Sequence, residues 1–282
     1  DLFYITVGRN LADQQKITDQ NGTTVESGTN NYALHYSVPY KNWLISANAS
    51  QYKYDQAVAG ANNVYNYNGE SKTQDLGVTR LLYRDAQRKT SASFKGWHRE
   101  SKSFIDDAEM SIQRRDVSGW QFNIDHREYI KSSILDLSLG YKRGTGAFSA
   151  LRAPEEAFDE GSSRMKIWTL DANLNVPFQF EKQNYNYSSS IRAQYNDTPL
   201  TMQDRMSIGG RYTVRGFDGN MTLAADRGYY WRNDLAMSIF PAHQFYIALD
   251  AGHVDGQSAE WLLGKTLIGG AMGFRGQFKV GG

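Results

Sequence analysis

Apolar and polar residues alternate with a period of two along much of the chain, in windows of nine to twelve residues. Tyr32, Leu34, Tyr36, Val38 and Tyr40 share one face of an extended segment, and Ala33, His35 and Ser37 the other. Trp168, Leu170, Ala172, Leu174, Val176 and Phe178 alternate with Thr169, Asp171, Asn173 and Asn175. Leu135, Leu137, Leu139 and Tyr141 alternate with Asp136, Ser138 and Gly140, and Phe245, Ile247, Leu249 and Ala251 with Tyr246, Ala248, Asp250 and Gly252. A period of two is the signature of a β-strand whose two faces meet different surroundings. These windows are long for a globular strand, whose usual length is about 5–6 residues. They match the roughly 9–11 residues that a tilted strand needs to cross a bilayer. No helical stripe competes with them.

The connections alternate in length. Short turns fall at Pro39–Asn42, Arg84–Lys89, Tyr129–Ser133, Pro177–Asn184 and Pro241–Gln244. Long polar connections fall at Leu11–Asn31, Asp55–Thr73, Gly144–Arg164, Asp197–Gly228 and Asp255–Lys265, with a further hairpin tip near Gln113–Gly119. Short periplasmic turns facing long extracellular loops are the habit of outer-membrane barrels. Tyr40, Trp43, Phe178, Phe180, Phe240 and Phe245 flank the short turns, where an aromatic girdle belongs. The pattern predicts twelve strands, near residues 2–10, 32–40, 43–54, 73–84, 90–113, 119–129, 133–143, 165–177, 185–196, 229–240, 244–254 and 266–278. A water-soluble two-sheet or lipocalin-like protein would show the same alternation with its apolar faces turned inward. Strand length and the aromatics at the turns favour the all-β, antiparallel transmembrane barrel.

Composition agrees. Among 282 residues there are 18 Tyr and 26 Gly but only 5 Pro, and the mean hydropathy is −0.60. The apolar residues are heavily aromatic and interleaved with polar ones, as in a wall with lipid on one side and water on the other. No apolar run approaches the roughly 18 residues of a spanning helix. With 31 basic and 30 acidic residues there is no reason to expect a nucleic-acid partner. Absence of cysteine excludes a disulfide framework and thiolate metal sites. The chain opens in what reads as the middle of a strand, Asp1-Leu2-Phe3-Tyr4, as expected of a piece of a longer protein.

Chemistry is sparse. His35, His98, His126, His243 and His253 are scattered without a metal-ligand spacing, so no metal site is expected. Asp106-Asp107 and Glu155-Glu156 are adjacent acids, and strand neighbours point to opposite faces, which does not suit a general acid/base pair. No nucleophile motif or phosphate-binding glycine loop stands out. Neither enzymatic activity nor a cofactor is expected.

The longest connection carries the one specific motif. Residues 206–236 read MSIGGRYTVRGFDGNMTLAADRGYYWRNDLA, with Val214-Arg215-Gly216-Phe217 inside. This stretch resembles the sixth extracellular loop of the Omp85 superfamily. Ile208-Gly209-Gly210, Tyr230-Trp231-Arg232-Asn233-Asp234-Leu235, RGTGAFSALRAPEEAF (Arg143 to Phe158) and HREYIKSSILDLSLGYKRG (His126 to Gly144) look more specifically like its two-partner-secretion branch. That branch comprises TpsB transporters of the haemolysin-activator type, including those paired with contact-dependent-inhibition toxins.

The resemblance implies a sixteen-stranded barrel in the bacterial outer membrane, surrounded by lipid and lipopolysaccharide, that exports a large β-helical TpsA-type exoprotein without ATP. It also implies periplasmic POTRA domains ahead of the barrel and further strands at each end, none of which has a counterpart in these residues. In the family the loop folds back into the lumen and its arginine pairs with an inner-wall acid, two positions after an aromatic. Asp250 fits the acid, and parity independently puts it on the lumen face because Ile247 and Leu249 take the lipid face. Ala248 stands where the aromatic is expected. At about 3.3 Å per residue and a tilt of about 40°, Asp250 lies around 15 Å above the Pro241–Gln244 turn, near mid-membrane. A pair with Arg215 there would gain roughly 4 kcal/mol of Coulomb energy at 4 Å, much of it offset by desolvation. Arginine suits the contact because its fork holds a carboxylate bidentately. Gly216 would supply the tight backbone of the loop tip. Arg232 and Asp234 are expected as general charges of the passage. An Omp85-type insertase and a passive porin-like channel are the competing readings. Arg143–Phe158 and the residues after Phe217 weigh against the insertase.

Overall fold

The computed structural model describes residues 1–10, 16–18, 22, 24–60 and 63–276. Twelve long strands follow one another: β1 (Leu2–Arg9), β2 (Gly28–Tyr40), β3 (Trp43–Ala59), β4 (Val64–Arg84), β5 (Arg88–Ile105), β6 (Arg115–Ile130), β7 (Ser133–Thr145), β8 (Lys166–Phe180), β9 (Gln183–Asn196), β10 (Arg227–Phe240), β11 (His243–Asp255) and β12 (Thr266–Gly276). Each corresponds to one of the twelve predicted segments; residues 277 and 278 of the last lie outside the described residues. Contacts group the chain into two compact units: Asp1–Arg80 with Ser93–Gln121 and Arg143–Pro154, and Leu81–Ala92 with Phe122–Lys142 and Glu155–Gly282.

In the first unit β1 to β4 form an antiparallel meander, closed by a tight turn where Tyr40 faces Trp43. Here the expected loop Asp55–Thr73 is replaced by strand: β3 and β4 stay paired out to Ala59↔Val64. The alternation does not stop at residue 54; it changes from apolar/polar to aromatic/polar, with Tyr54 and Tyr67 packed at 5.7 Å. Tyrosines and small residues among polar ones lack the run of large aliphatic side chains seen lower in the strands, so the hairpin reads as a loop. Gly69 allows it to close, because a Cβ at 69 would lie 2.7 Å from the Tyr54 ring. Similarly, β2 starts at Gly28 rather than residue 32, preceded by the short pair Lys16–Thr18 and Thr24–Glu26. The predicted strand 90–113 ends at Ile105, in a turn with Asp106 at φ 52 whose carboxylate accepts the Asn66 amide at 2.9 Å. After the turn, Ala108–Glu109 pairs back on Phe104–Ile105, and the next long strand starts at Arg115, before the predicted 119.

In the second unit β8 to β12 are antiparallel in chain order, joined by two-residue turns between Phe180↔Gln183 and Phe240↔His243. Glu181 and Lys182 both have positive φ (47 and 66), the geometry of a turn whose twist matches that of the flanking strands. Phe178 stacks on Tyr185 at 5.3 Å and Phe245 packs on Phe274 at 5.2 Å beside these turns, where the girdle was expected.

Burial separates the two faces of this unit. Trp168 and Leu170 are 44% and 43% exposed, and Ile247 and Leu249 reach 49% and 64%, whereas Asp250, next after Leu249, is 1% exposed. The apolar rows do not pack into a dry core. The buried apolar cluster instead consists of Met206, Ile208, Val214, Ala225, Val254 and Ala259. It is built where the long loop lies on the polar face of β11.

Candidate functional site

The segment between β9 and β10 has two parts. At its root Met206–Ile208 pairs with Leu223–Ala225 in a short antiparallel ladder. Ile208 is fully buried, with Met206 and Ala225 beside it, against Val254 and Ala259. Asp226 closes the root. Its buried carboxylate accepts the Leu200 amide at 3.0 Å, the Ser258 amide at 2.9 Å and the Ser258 hydroxyl at 2.7 Å. Three chain segments that share no sequence pattern are thereby tied together.

The tip begins at Gly209, whose φ of +107 is open to glycine at little cost. The Thr213 hydroxyl oxygen accepts the amides of Gly209 and Gly210 at 3.0 and 3.1 Å, and the Thr213 amide donates to the Gly210 carbonyl at 3.0 Å. This compact turn presents Val214 and Arg215 to the wall. Val214 is fully buried with Ile208 above Gly252, where a Cβ would sit 2.8 Å from Val214 Cγ2.

Arg215 then uses nearly all its donors. Nε and Nη2 grip the two oxygens of Asp250, each at 2.6 Å, and the Arg215 amide donates to Asp250 Oδ2 at 3.0 Å. Nη1 donates to Asp234 at 3.0 Å and Nη2 also to the Asn233 carbonyl at 2.9 Å. The Asp250 side chain is fully covered and that of Arg215 is 15% exposed. Such a bidentate, charge-assisted pair is the geometry a lysine cannot reproduce. Gly216 carries φ +94, while a Cβ there would meet nothing closer than 3.5 Å; conformation rather than space calls for glycine. Phe217 is 37% exposed and stands outside the ion cluster.

Arg232 and Asp234 are not the general charges expected. Both share the face of Asp250, Arg232 directly across from it in register and Asp234 across from Ala248. Arg232 donates to the Tyr212 carbonyl at 3.1 Å and lies 3.8 Å from Asp250. Asp234 receives Arg215 on one oxygen and Arg275 on the other, at 2.9 Å. Three arginines therefore surround two aspartates. The Arg275 side chain passes over Tyr246, 5.0 Å from the ring, on its way to Asp234. The cluster borders a cavity of about 420 Å³ that is also lined by Arg127, Asp136, Asn173, Asn175, Ser188 and Ser190.

Sequence reading missed Arg275, Asn233, Asp226 and Ser258, and also Gly269. A Cβ at 269 would fall 1.8 Å from the Arg215 carbonyl oxygen, so only glycine lets the tip lie against β12. Consecutive glycines inside a strand, Gly269-Gly270, were the available sign.

Folding also gathers groups that chain spacing kept apart. Ligand-capable atoms of His98, Glu100 and Asp116 lie within 4.8 Å of one another, a grouping of one histidine with two acids that chain spacing does not show. His98 is already bonded to Ser118 at 2.7 Å and to Glu100 at 3.1 Å. The adjacent acids serve structure: Glu156 accepts the Ser163 amide and the hydroxyls of Ser162 and Ser163.

Residues 1–276 match the model of the haemolysin secretion/activation protein family ShlB/FhaC/HecB. The chain belongs to this family. Outer membrane transporter CdiB-2 of Burkholderia pseudomallei is 32% identical over 250 residues, covering 88% of this chain and 43% of the relative. Outer membrane transporter CdiB of Dickeya dadantii is 23% identical over 278 residues, 97% of this chain and 47% of the relative. The solved structure of CdiB from Acinetobacter baumannii is similar with a TM-score of 0.78 at 28% identity, over 94% of this chain and 49% of that one. CdiB from Escherichia coli gives 0.76 at 22% identity, over 92% and 51%. The chain thus spans about half the length of these relatives. For this ShlB/FhaC/HecB family member the fold is the transmembrane antiparallel β-barrel that the alternation predicts, and the soluble two-sheet alternative falls.

Proposed function

We propose that this chain is the channel-forming part of an outer-membrane transporter for two-partner secretion. It passes a large β-helical exoprotein, such as a haemolysin, adhesin or contact-dependent-inhibition toxin, outward through the lumen, amid outer-membrane lipid and lipopolysaccharide. Val214, Arg215, Gly216 and Phe217 form the tip of a lumen loop, and Arg215 on Asp250 anchors it in the transport-competent position, with Arg232 and Asp234 completing the charge cluster. The family match and the named CdiB and haemolysin transporters among the relatives support the transport reading. The observation that carries the anchoring is the bidentate contact of Arg215 with the covered Asp250.

Mechanistically, the cluster makes a stopper that holds without being permanent. A charge pair in a wet passage gains modest net free energy, because water and ions replace each contact on opening. Arg215→Ala in the full-length protein should insert and migrate as a folded barrel yet release at least about tenfold less exoprotein, the loss of roughly 1.4 kcal/mol or more of anchoring. Parental export by the inserted variant overturns the anchoring. Ion conductance with no effect of this chain on export of any protein would favour the passive channel.

A further inference from the structure

The lipid-facing side of the wall behind the ion cluster is unexpectedly polar. Asn233 lies between Arg232 and Asp234, so its side chain points away from them, onto the face shared by Trp231 (45% exposed) and, across the ladder, Leu249 (64% exposed). A carboxamide on that face is expensive in hydrocarbon unless its polar atoms are bonded. Here they are. Asn233 Oδ1 accepts the Tyr187 hydroxyl at 2.7 Å and the Ser189 hydroxyl at 3.3 Å, and Nδ2 donates to the Leu249 carbonyl at 3.2 Å. Ser189 in turn accepts the Trp231 indole N–H at 2.8 Å. A leucine at 233 would meet lipid more favourably, so barrel stability alone does not explain the asparagine.

The backbone of the same residue serves the opposite side. The Asn233 amide donates to Asp250 Oδ1 at 3.3 Å, and the Asn233 carbonyl accepts Arg215 Nη2 at 2.9 Å. Both members of the anchor are thus touched by one residue whose side chain is gripped from outside. β9 and β11 flank β10 on either side, so the network is complete within these strands.

We propose that Asn233 is a positioning residue for the docked loop: its side chain, held on the lipid-facing side by Tyr187, Ser189 and Leu249, fixes the peptide groups that grip Arg215 and Asp250 in the lumen. This rests on the anchoring role proposed above. The test uses the full-length transporter, reading barrel insertion, exoprotein release and the open fraction of the channel in planar bilayers. Asn233→Leu should insert normally, release about fivefold less exoprotein, as for loss of one hydrogen bond from the anchor, and raise the open fraction. In the Arg215→Ala background it should leave the open fraction where Arg215→Ala alone puts it. Tyr187→Phe combined with Ser189→Ala, which spares Asn233 but removes its outer partners, should move release and gating in the same direction. Parental release and gating by inserted Asn233→Leu overturn the proposal, as does a further rise in open fraction in the Arg215→Ala background. Should Asn233→Leu fail to insert, unchanged release and gating in the Tyr187/Ser189 pair overturn it instead. If Arg215→Ala itself behaves as the parent, the anchoring reading falls and this one with it; normal Asn233→Leu beside a defective Arg215→Ala removes this one alone.

Discussion

The root and the tip of the long loop are held to the same strands by opposite means. At the root, Met206, Ile208, Ala225, Val254 and Ala259 exclude water, and the Asp226 carboxylate is 1% exposed and bonded to backbone amides and a hydroxyl. No cation enters that set. At the tip, Val214 is the sole buried apolar side chain from residues 210–222, and attachment rests on Arg215, Asp250, Asp234, Arg232 and Arg275. Releasing the root would expose apolar surface and strand a buried carboxylate, both uncompensated. Releasing the tip exchanges ion pairs for hydration in the adjoining cavity. The difference teaches where motion belongs: the root is a fixed hinge base and the tip a removable latch.

The comparison breaks hardest at Gly269. Gly269→Val places a branched side chain where the Arg215 carbonyl now lies, so the tip cannot dock; export should fall by more than about tenfold while the root and barrel stay intact. Limited proteolysis with cleavage newly confined to the tip, alongside an export assay, checks this, and a docked tip in that variant would contradict the latch. Next comes Asp226→Ala, which leaves the Leu200 and Ser258 amides unsatisfied. It should destabilise the folded protein by about 2–3 kcal/mol, the worth of hydrogen bonds to a charged group, and lower the amount of barrel more than the export per barrel. Thermal unfolding in detergent measures it. A smaller effect sharpens the contrast: Ser207→Cys with Ala224→Cys joins two directly opposed residues of the root ladder in a chain without other cysteines. Export should be the same oxidised and reduced, because a hinge base does not open.

The smallest effect lies far from the loop. In the turn before β5 the Asp85 carboxylate accepts Tyr83 OH at 2.7 Å and the amides of Gln87 and Arg88, and the Tyr83 bond followed by the Gln87 amide holds its pKa below the ordinary carboxylate value. A depressed pKa adds stability that is complete above the unfolded value of about 4 and fades as pH drops through the folded one. Asp85→Asn should therefore flatten the dependence of melting temperature on pH below about 4 and leave export untouched.

How far the sequence reaches follows from what a period of two can report. It states which side of a strand a residue takes, and so it placed twelve strands, set Trp168 and Leu170 outward, and put Asp250 inward. It carried Arg215 through the motif around it. It failed in the hairpin from Tyr52 to Tyr67, because the alternation there is carried by tyrosines and small residues among polar ones and reads as a loop.

Partners are a different matter. Ser258 reaches Asp226 across 32 positions and Gly269 reaches Arg215 across another loop, and no local pattern links such pairs. Asn233 even runs against the pattern, a polar residue on a lipid-facing row whose reason lies in the strands on either side. Alternation along the chain therefore determined the wall, its two faces and the acid in its middle, since each follows from the geometry of one extended segment. Tertiary structure alone decided which charges meet, which glycines make way for the loop and what clamps its root, since those depend on the distance between segments that only folding brings together.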